Sequence, residues 1–211
     1  MKNTYFITGI GTGIGKTVVA AIITEALEAD YWKPIQAGDL EFSDSDRVQK
    51  LISNQKSVFH PNAFALTRPM SPHAAAKKDG VEITSEKIKR PKTANNLVIE
   101  GAGGLLVPLN DKETITDLIL PQDKVVLVSR HYLGSINHTL LTAEALKNRG
   151  INCFGIIFNG EENPDTEEII LKLTGIPFFG RIEDEPYFDK NVVKQYAEEF
   201  RSKISEIERS K

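Results

Sequence analysis

The stretch "GIGTGIGKT" at residues 9–17 is the strongest fold signal in this sequence, and it follows directly on the short apolar run "TYFIT". A dinucleotide-binding fingerprint, G-x-G-x-x-G, does not fit, because the last position is not glycine in either possible register. The end of the stretch, Gly15, Lys16 and Thr17, fits a phosphate loop, G-x-x-x-x-G-K-[ST], although the first glycine, Gly9, comes one place early. We therefore predict a stretched phosphate loop between a strand and a helix.

The residue types in this loop suit the binding of a phosphate anion. Glycines at 11, 13 and 15 allow positive φ angles, so that backbone N–H groups turn inward. The N-terminus of the following helix adds its dipole, Lys16 adds a charge, and the Thr17 hydroxyl is a ligand for Mg²⁺. The alternative is a glycine-rich turn that binds nothing, and the G-K-T end between a strand and an apolar helix makes it the weaker interpretation.

The composition is that of an ordinary globular protein, with 211 residues, 40% apolar residues, 26% charged residues and a net charge of −3. This length predicts one domain, residues 1–211, and the charge gives no case for binding nucleic acid. The basic stretch "KIKRPK" at 87–92 is interpreted as a solvated connection. The single cysteine, Cys153, suits a reducing compartment, and we expect neither a signal peptide nor a membrane-spanning run. We expect a cytoplasmic protein without a membrane partner.

Strand and helix patterns alternate along the chain, which predicts an α/β fold. Combined with the phosphate loop, this indicates a three-layer phosphate-loop NTPase fold, with a mostly parallel central sheet covered by helices on both faces. The predicted strands cover residues 4–8, 31–35, 96–100, 124–130, 151–159 and 176–180. The predicted helices cover residues 16–29, 43–52, 135–150 and 163–175 and a charged tail from 189 onward, while 61–72 is predicted to be largely loop.

Ligands of parallel sheets bind at the carboxyl ends of the strands, and several charged residues follow strands here. Glu100 ends the apolar run "NLVI", where it either serves metal or phosphate chemistry, which we favour, or caps the next turn. Asp44 and Asp46 are weaker candidates, because either one can simply cap the helix that follows them. Lys33 ends a strand, and its position alone favours neither a solvated nor a catalytic side chain.

Three further loops offer groups for a ligand at the same edge. The turn "GAGG" at 101–104 has backbone N–H groups suited to an oxyanion, or is only a tight turn. The stretch "GSINH" at 134–138 opens a helix, with Ser135 as its expected N-cap. Asn159 follows a strand, where it either contacts a base edge or begins a turn. No histidine pair has metal-ligand spacing, and no serine lies in a nucleophile elbow.

Taken together, these loops resemble the dethiobiotin synthetase family. The segments that carry the resemblance are, in chain order, "TGIGTGIGKT", "YWKPIQAG", "SDSD", "PMSPH", "VIEGAGGLLVPL", "LGSINHTLLT" and "IIFNG". They cover roughly residues 1–160, and the combination of "KP", "EGAGG" and "LGSINH" is much more specific than the phosphate loop alone.

The resemblance implies a homodimer, related in fold to the partitioning ATPases, that performs the penultimate step of biotin synthesis. The substrates are 7,8-diaminopelargonic acid, CO₂ and ATP. One amine takes up CO₂ as a carbamate, ATP phosphorylates the carbamate, and the second amine closes the ureido ring with release of ADP and phosphate. No covalent enzyme nucleophile is needed, in agreement with the sequence.

The resemblance also implies a role for individual residues. Lys16 and Lys33 are the catalytic cations, the first on the phosphates and the second on the carbamate. The residues implied in ATP binding are Thr12, Gly13, Ile14, Gly15, Lys16, Thr17, Asp46, Glu100, Gly101, Ala102, Gly103 and Asn159, the last at adenine. Mg²⁺ is assigned to Thr17, Asp46 and Glu100, and the choice between Asp44 and Asp46 as the second carboxylate is open. The substrate is assigned to Lys33, Ala37, Ser71, Gly134, Ser135 and Asn137, with the helix start receiving its carboxylate from the neighbouring subunit.

The sequence departs from the family pattern at three places. Gly11 stands where many members have an acid, and Ala37 stands where some have a hydroxyl residue beside the substrate. The segment "GRIEDEP" near residue 180 lacks the proline expected in the base-binding turn.

Two rival functions share features with this pattern. A nucleotide-switch ATPase of the partitioning class shares the fold and the dimer, but many of these carry a second lysine early in the loop, and "GIGTGI" has none. The amidotransferase relatives that make cobyric acid need a glutaminase domain with a catalytic cysteine, which this length and the single cysteine argue against.

Overall fold

Nine strands are present in the computed structural model, which describes residues 2–209. Their bounds are β1 Thr4–Gly9, β2 Asp30–Trp32, β3 Ile35–Ala37, β4 Phe59–His60, β5 Phe64–Leu66, β6 Leu97–Glu100, β7 Lys124–Arg130, β8 Cys153–Asn159 and β9 Phe178–Ile182. Seven of them form one sheet in the order β4-β2-β6-β1-β7-β8-β9, and every pair in it is parallel. The predicted parallel sheet is confirmed.

Six α-helices connect and cover these strands within residues 2–209. Their bounds are α1 Lys16–Leu27, α2 Asp44–Leu51, α3 Pro72–Asp79, α4 Ser135–Asn148, α5 Pro164–Thr174 and α6 Lys190–Arg209. Apolar residues of α1, α2 and α6 share one buried cluster with one face of the sheet, and those of α3, α4 and α5 share a second cluster with the other face. The three-layer arrangement is therefore confirmed.

The side chains of β1 show how one strand serves both layers. Tyr5 and Ile7 belong to the cluster on the α1 face, and Phe6 between them belongs to the other. All of them are buried, as expected for a strand in the middle of a parallel sheet. Because β1 lies between β6 and β7, the phosphate loop emerges beside Glu100, the last residue of β6.

The predicted strand at 31–35 is interrupted in the structure. β2 ends at Trp32, and the chain resumes with β3 at Ile35, which pairs with β5 in a separate two-stranded sheet. Pro34 explains the break, because it lacks an N–H group and restricts the backbone of the preceding residue. Lys33 is consequently placed at the break, on the carboxyl edge of the main sheet.

Three other predictions from the sequence need adjustment. The segment 61–72 contains the short strand β5, and the last strand lies two residues later than expected, at Phe178–Ile182. Arg90, in the stretch interpreted as solvated, is paired with the buried Asp123 through bonds of 2.7 and 2.5 Å. The charged tail is helical as predicted up to Arg209, and residues 210–211 lie outside the described part.

The helix α6 closes the α1 face of the sheet. It packs against α1, and the Tyr5 hydroxyl donates to Glu208 Oε1 over 2.8 Å. In the described part of the chain, none of the helices has the length and apolar character needed to cross a membrane.

Candidate active site

The phosphate loop has the backbone geometry that its glycines allow. Gly13 and Gly15 have φ angles of 72° and 94°, in the left-handed region that glycine tolerates best. A Cβ atom on Gly15 would lie 2.2 Å from Nδ2 of Asn159, so this position has no room for a side chain. The helix α1 begins at the next residue, Lys16, and its N-terminus therefore points at the space enclosed by the loop.

The Lys16 side chain is bound to its own loop. Its Nζ donates to the Gly11 carbonyl over 2.7 Å, and the residue is only 7% exposed. Burial, together with the positive charge of Lys33, lowers the pKa of Lys16 to about 8. A phosphate anion beside the ammonium group would raise this pKa again, because an opposite charge favours the charged form.

A group of five side chains lies next to the loop, and we call it the carboxylate cluster: Thr17, Tyr31, Lys33, Asp44 and Glu100. Glu100 is at its centre and is 1% exposed. Its Oε1 accepts from Lys33 Nζ over 2.8 Å and from the Thr17 hydroxyl over 2.9 Å. Its Oε2 accepts from the Tyr31 hydroxyl over 2.7 Å. Both oxygens of the buried Glu100 carboxylate thus have hydrogen-bond donors.

Lys33 links the carboxylate of Asp44 to that of Glu100. Its Nζ lies 2.8 Å from Asp44 Oδ2 and donates to the Gly101 carbonyl over 3.1 Å. Lys33 is 4% exposed, so the interpretation as a solvated strand end is wrong. Burial by itself lowers the pKa of Lys33, but Glu100 and Asp44 outweigh it and raise that pKa above its usual range.

Asp44 completes the cluster from the first turn of α2. Its Oδ1 accepts from the Thr17 hydroxyl over 3.3 Å. Burial raises the pKa of the Asp44 carboxyl, but the Lys33 ammonium outweighs this and holds it below its usual range. Asp44 is therefore ionised beside the phosphate loop.

Asp46, the aspartate that the sequence assigns to the metal, is not part of this cluster. Its Oδ2 accepts from the Ser43 backbone N–H over 2.8 Å and from the Ser43 hydroxyl over 2.6 Å, and these bonds hold the pKa of Asp46 below its usual range. Residues two apart on a helix point in different directions, so only one of the two aspartates reaches Thr17. The structure thus places Asp44 next to Thr17 and uses Asp46 to cap α2, and the metal role of either aspartate stays a prediction.

The turn at 101–104 lies against the phosphate loop. A Cβ atom on Gly104 would lie 3.4 Å from the Gly9 carbonyl oxygen, and one on Gly103 would lie 3.5 Å from the Thr12 hydroxyl. Gly103 has a φ of 68°, so the turn relies on glycine for its conformation as well. The two glycine-rich segments therefore pack against each other, next to Gly101 and the half-buried Ala102.

Asn159 lies beneath the phosphate loop. Its Nδ2 donates to the Ile14 carbonyl over 2.9 Å, and the residue is 8% exposed. The bond ties the end of β8 to the loop before α1. The contact of Asn159 with a nucleotide base stays a prediction.

The residues assigned to the substrate lie on separate elements. Gly134, with a φ of 102°, is the N-cap of α4, so Ser135 is the first helical residue and not the cap that we expected. Ser135 is buried and Asn137 is exposed. Ala37 is half-buried at the end of β3, and Ser71 precedes Pro72 at the start of α3. Their contacts with a substrate stay predictions.

The donor set beside Thr17 fits Mg²⁺. It consists of hard oxygen atoms from one hydroxyl and two carboxylates, Asp44 and Glu100. Over residues 2–209, His, Cys, Asp and Glu side chains form no group of three or more that could hold a metal alone. Mg²⁺ commonly takes only one or two carboxylates and completes its shell with water and substrate phosphates, so this set suffices.

Tyr31 is the member of the cluster that the sequence analysis missed. It is fully buried, and burial together with the neighbouring Glu100 carboxylate raises the pKa of its hydroxyl well above the usual range. In the sequence it is indistinguishable from any aromatic residue of an apolar strand. Only the pairing of β2 with β6 brings its hydroxyl to Glu100.

Comparison with known proteins gives consistent matches over most of the chain. A family model described as an AAA domain matches residues 3–192. The ATP-dependent dethiobiotin synthetase of Christiangramia forsetii is 66% identical over 207 residues, which are 98% of this chain and 100% of that protein. The enzyme of the same name from Cytophaga hutchinsonii is 54% identical, with 92% of this chain and 94% of that protein covered.

Solved structures with the same fold are much more distant in sequence. The septum site-determining protein MinD of Pyrococcus horikoshii, complexed with Mg-ADP, superposes with a TM-score of 0.63 at 16% identity, covering 98% of this chain and 95% of that one. The pNOB8 ParA bound to nonspecific DNA gives a TM-score of 0.61 at 13% identity, covering 100% and 99%. These likenesses establish the phosphate-loop architecture alone, and they do not favour the nucleotide-switch alternative.

Proposed function

The chain belongs to the ATP-dependent dethiobiotin synthetase family, and we propose that its carboxylate cluster and phosphate loop together carry out that reaction. The overall activity is an ATP-dependent ligation that closes the ureido ring of dethiobiotin from 7,8-diaminopelargonic acid and CO₂. The main support for the proposal is the position of Lys33, a buried cation between Asp44 and Glu100 at the edge of the phosphate loop. We assign the whole reaction to one domain, residues 1–211.

The cations of the site bring two anions together. Lys16 releases the Gly11 carbonyl and binds the triphosphate, with the backbone N–H groups of residues 12–17 around it. Lys33 faces the carbamate and then the phosphorylated carbamate. Carbamate and triphosphate repel each other in water, so positioning and charge compensation are the main contributions that this reaction needs.

The second amine closes the ring without help from an enzyme nucleophile. It attacks the carbamate carbon, the phosphate group leaves with its oxygen, and the amine proton passes to solvent or to the leaving phosphate. The buried walls around Glu100 and Lys33 strengthen the electrostatic interactions of the site, because water is largely excluded there.

Thr17, Asp44 and Glu100 would hold Mg²⁺. When bound, the ion compensates charge on the phosphate oxygens during transfer. The fit rests on the Thr17 hydroxyl, which lies within hydrogen-bond distance of both carboxylates. Because Lys33 already contacts both carboxylates, it orients these two side chains in the free protein.

The substrate carboxylate is assigned to the start of α4 in a homodimer, at Gly134, Ser135 and Asn137. Support for the dimer comes from apolar side chains that are exposed around this helix start, namely Tyr132, Leu133 and Ile136. Exposed apolar groups in one patch are typical of interaction surfaces. The helix N-terminus offers backbone donors to an anion. Ala37 and Ser71 complete the proposed substrate contacts, and Asn159 the contact with adenine.

The test is a reaction mixture of the purified protein with ATP, Mg²⁺, bicarbonate and 7,8-diaminopelargonic acid, followed by mass spectrometry. We expect the mass of dethiobiotin, with one phosphate released for each product molecule. Omission of bicarbonate or of the diamine is the control and should abolish both signals. ATP binding without any product would contradict the proposal and favour a nucleotide switch.

A further inference from the structure

Tyr31 is a buried polar group that the proposed reaction does not use. Its ring packs against Phe59 with 5.5 Å between the centroids, and the whole residue is 0% exposed. Its hydroxyl makes one hydrogen bond, to Glu100 Oε2 over 2.7 Å. A buried hydroxyl whose partner is a buried carboxylate has a strong and directional interaction.

The strand register explains why the two groups meet. Tyr31 pairs with Val98, and Glu100 lies two residues further along β6 on the same face. This face is the one covered by α1, which carries Thr17. A diagonal neighbour across two strands is within reach of a long aromatic side chain.

As a consequence, the two oxygens of Glu100 have different partners. Oε2 is taken by Tyr31, and Oε1 faces Thr17 and Lys33 on the side of the phosphate loop. Without the phenol, the carboxylate would be free to rotate, and either oxygen would have to find donors in a site with little water.

We propose that Tyr31 is a positioning residue, which holds Glu100 so that one chosen oxygen is presented to the divalent cation. The inference rests on the proposed role of Glu100 as a metal ligand. Groups that orient a metal ligand typically change metal affinity or activity by about 10- to 100-fold when removed.

The test is Tyr31→Phe, which removes only the hydroxyl. Binding of Mn²⁺ in the presence of saturating ADP, followed by electron paramagnetic resonance, should weaken by about 10-fold. ADP binding in EDTA should stay unchanged, because the phosphate loop is intact. A merely structural tyrosine would lower the melting temperature and leave the Mn²⁺ affinity as it was, and that result would overturn the inference.

Tyr5→Phe is the matched control. Tyr5 is also a buried tyrosine, 1% exposed, and its hydroxyl also donates to a carboxylate, Glu208, over 2.8 Å. Glu208 belongs to α6 and lies outside the carboxylate cluster. The control should lose stability and keep its Mn²⁺ affinity. A loss of Mn²⁺ affinity that occurs only in Tyr31→Phe therefore reports on Glu100.

Two more measurements distinguish a wrong metal assignment from a Tyr31→Phe variant that does not fold. Glu100→Gln should abolish tight Mn²⁺ binding; if it does not, the metal assignment itself fails and Tyr31 loses its role with it. If Tyr31→Phe does not fold, 3-fluorotyrosine placed at position 31 alone gives one ¹⁹F resonance in the folded protein. This resonance should shift when Mg²⁺ and ADP bind, and an unchanged resonance would overturn the inference.

Discussion

Asp30 and Glu100 are buried carboxylates at opposite edges of the same sheet, and they are satisfied in different ways. Asp30, the first residue of β2, is 4% exposed and pairs in register with Leu97 at the start of β6. It accepts bonds from the Val58 N–H over 3.1 Å, the Thr93 hydroxyl over 2.5 Å and the Asn95 amide over 3.2 Å. Glu100, at the end of β6, relies on the ammonium group of Lys33.

The difference separates a structural carboxylate from one suited to chemistry. Asp30 is surrounded by neutral donors, apart from the ring of His60 at 3.3 Å, and these donors belong to the loops that it fastens. Glu100 and Asp44 share a single lysine, so their combined charge exceeds that of their buried cation. A further cation would be attracted to Glu100 and Asp44, whereas Asp30 already has the donors that it needs.

Lys33→Met is the substitution that should change turnover most. It keeps the length of the side chain and deletes the charge that we propose to face the carbamate. We expect kcat/KM for dethiobiotin formation to fall by at least ~100-fold, as for the loss of one preorganised electrostatic partner. ATP binding, measured on the same preparation, should change little, because we assign the phosphates to Lys16. Near-normal turnover with retained ATP binding would contradict the difference proposed here, namely that Glu100 and its lysine serve the reaction whereas Asp30 serves stability.

Asp44→Asn and Asp46→Asn sharpen the contrast within one helix turn. Asp44 contacts Thr17 and Lys33, whereas Asp46 only caps α2. Asp44→Asn should raise the Mg²⁺ concentration needed for half-maximal turnover by about 10-fold or more, the usual scale for groups around a metal. Asp46→Asn should leave it unchanged and cost about 1 kcal/mol of stability, as for a lost helix cap. The reverse pattern in a Mg²⁺ titration of both variants would restore the assignment made from the sequence.

Asp30→Asn should change stability and leave catalysis alone. We expect the free energy of unfolding, from urea titration at pH 7, to fall by about 1–3 kcal/mol, because buried donors lose their charged acceptor. Turnover at 25 °C should stay within twofold of wild type, in keeping with a residue outside the active site. A large loss of turnover in a folded variant would show that the amino edge of the sheet also serves the reaction.

The stability contributed by Asp30 should depend on pH, and the direction follows from its pKa. Burial raises the pKa of the Asp30 carboxyl, but its hydrogen-bond donors outweigh burial and hold this pKa below its usual range. A carboxyl with a lowered pKa in the fold stabilises it above the unfolded value of about 3.9, and this contribution is lost as the pH falls through the folded value. The difference between wild type and Asp30→Asn should therefore shrink below about pH 4.

The features that depend on local order along the chain could be predicted before the structure. The glycines and the Lys16–Thr17 pair predict the phosphate loop, the alternating apolar runs predict the parallel sheet, and the combination of loops predicts the family. Glu100 was also predictable, because an acid at the end of an apolar strand needs a partner. Spacing, propensity and strand ends carry this information, and they are unaffected by how the elements later pack.

Which side chains meet depends on how the elements pack in three dimensions. The choice of Asp44 over Asp46 depends on the rotation of α2 about its axis where it packs against α1, and both residues look equally good in "SDSD". The burial of Lys33 depends on the break at Pro34, and the role of Tyr31 depends on the register between β2 and β6. Distances of 2.7–2.9 Å between residues 67–83 positions apart result from packing three layers together, which no local pattern in the chain encodes.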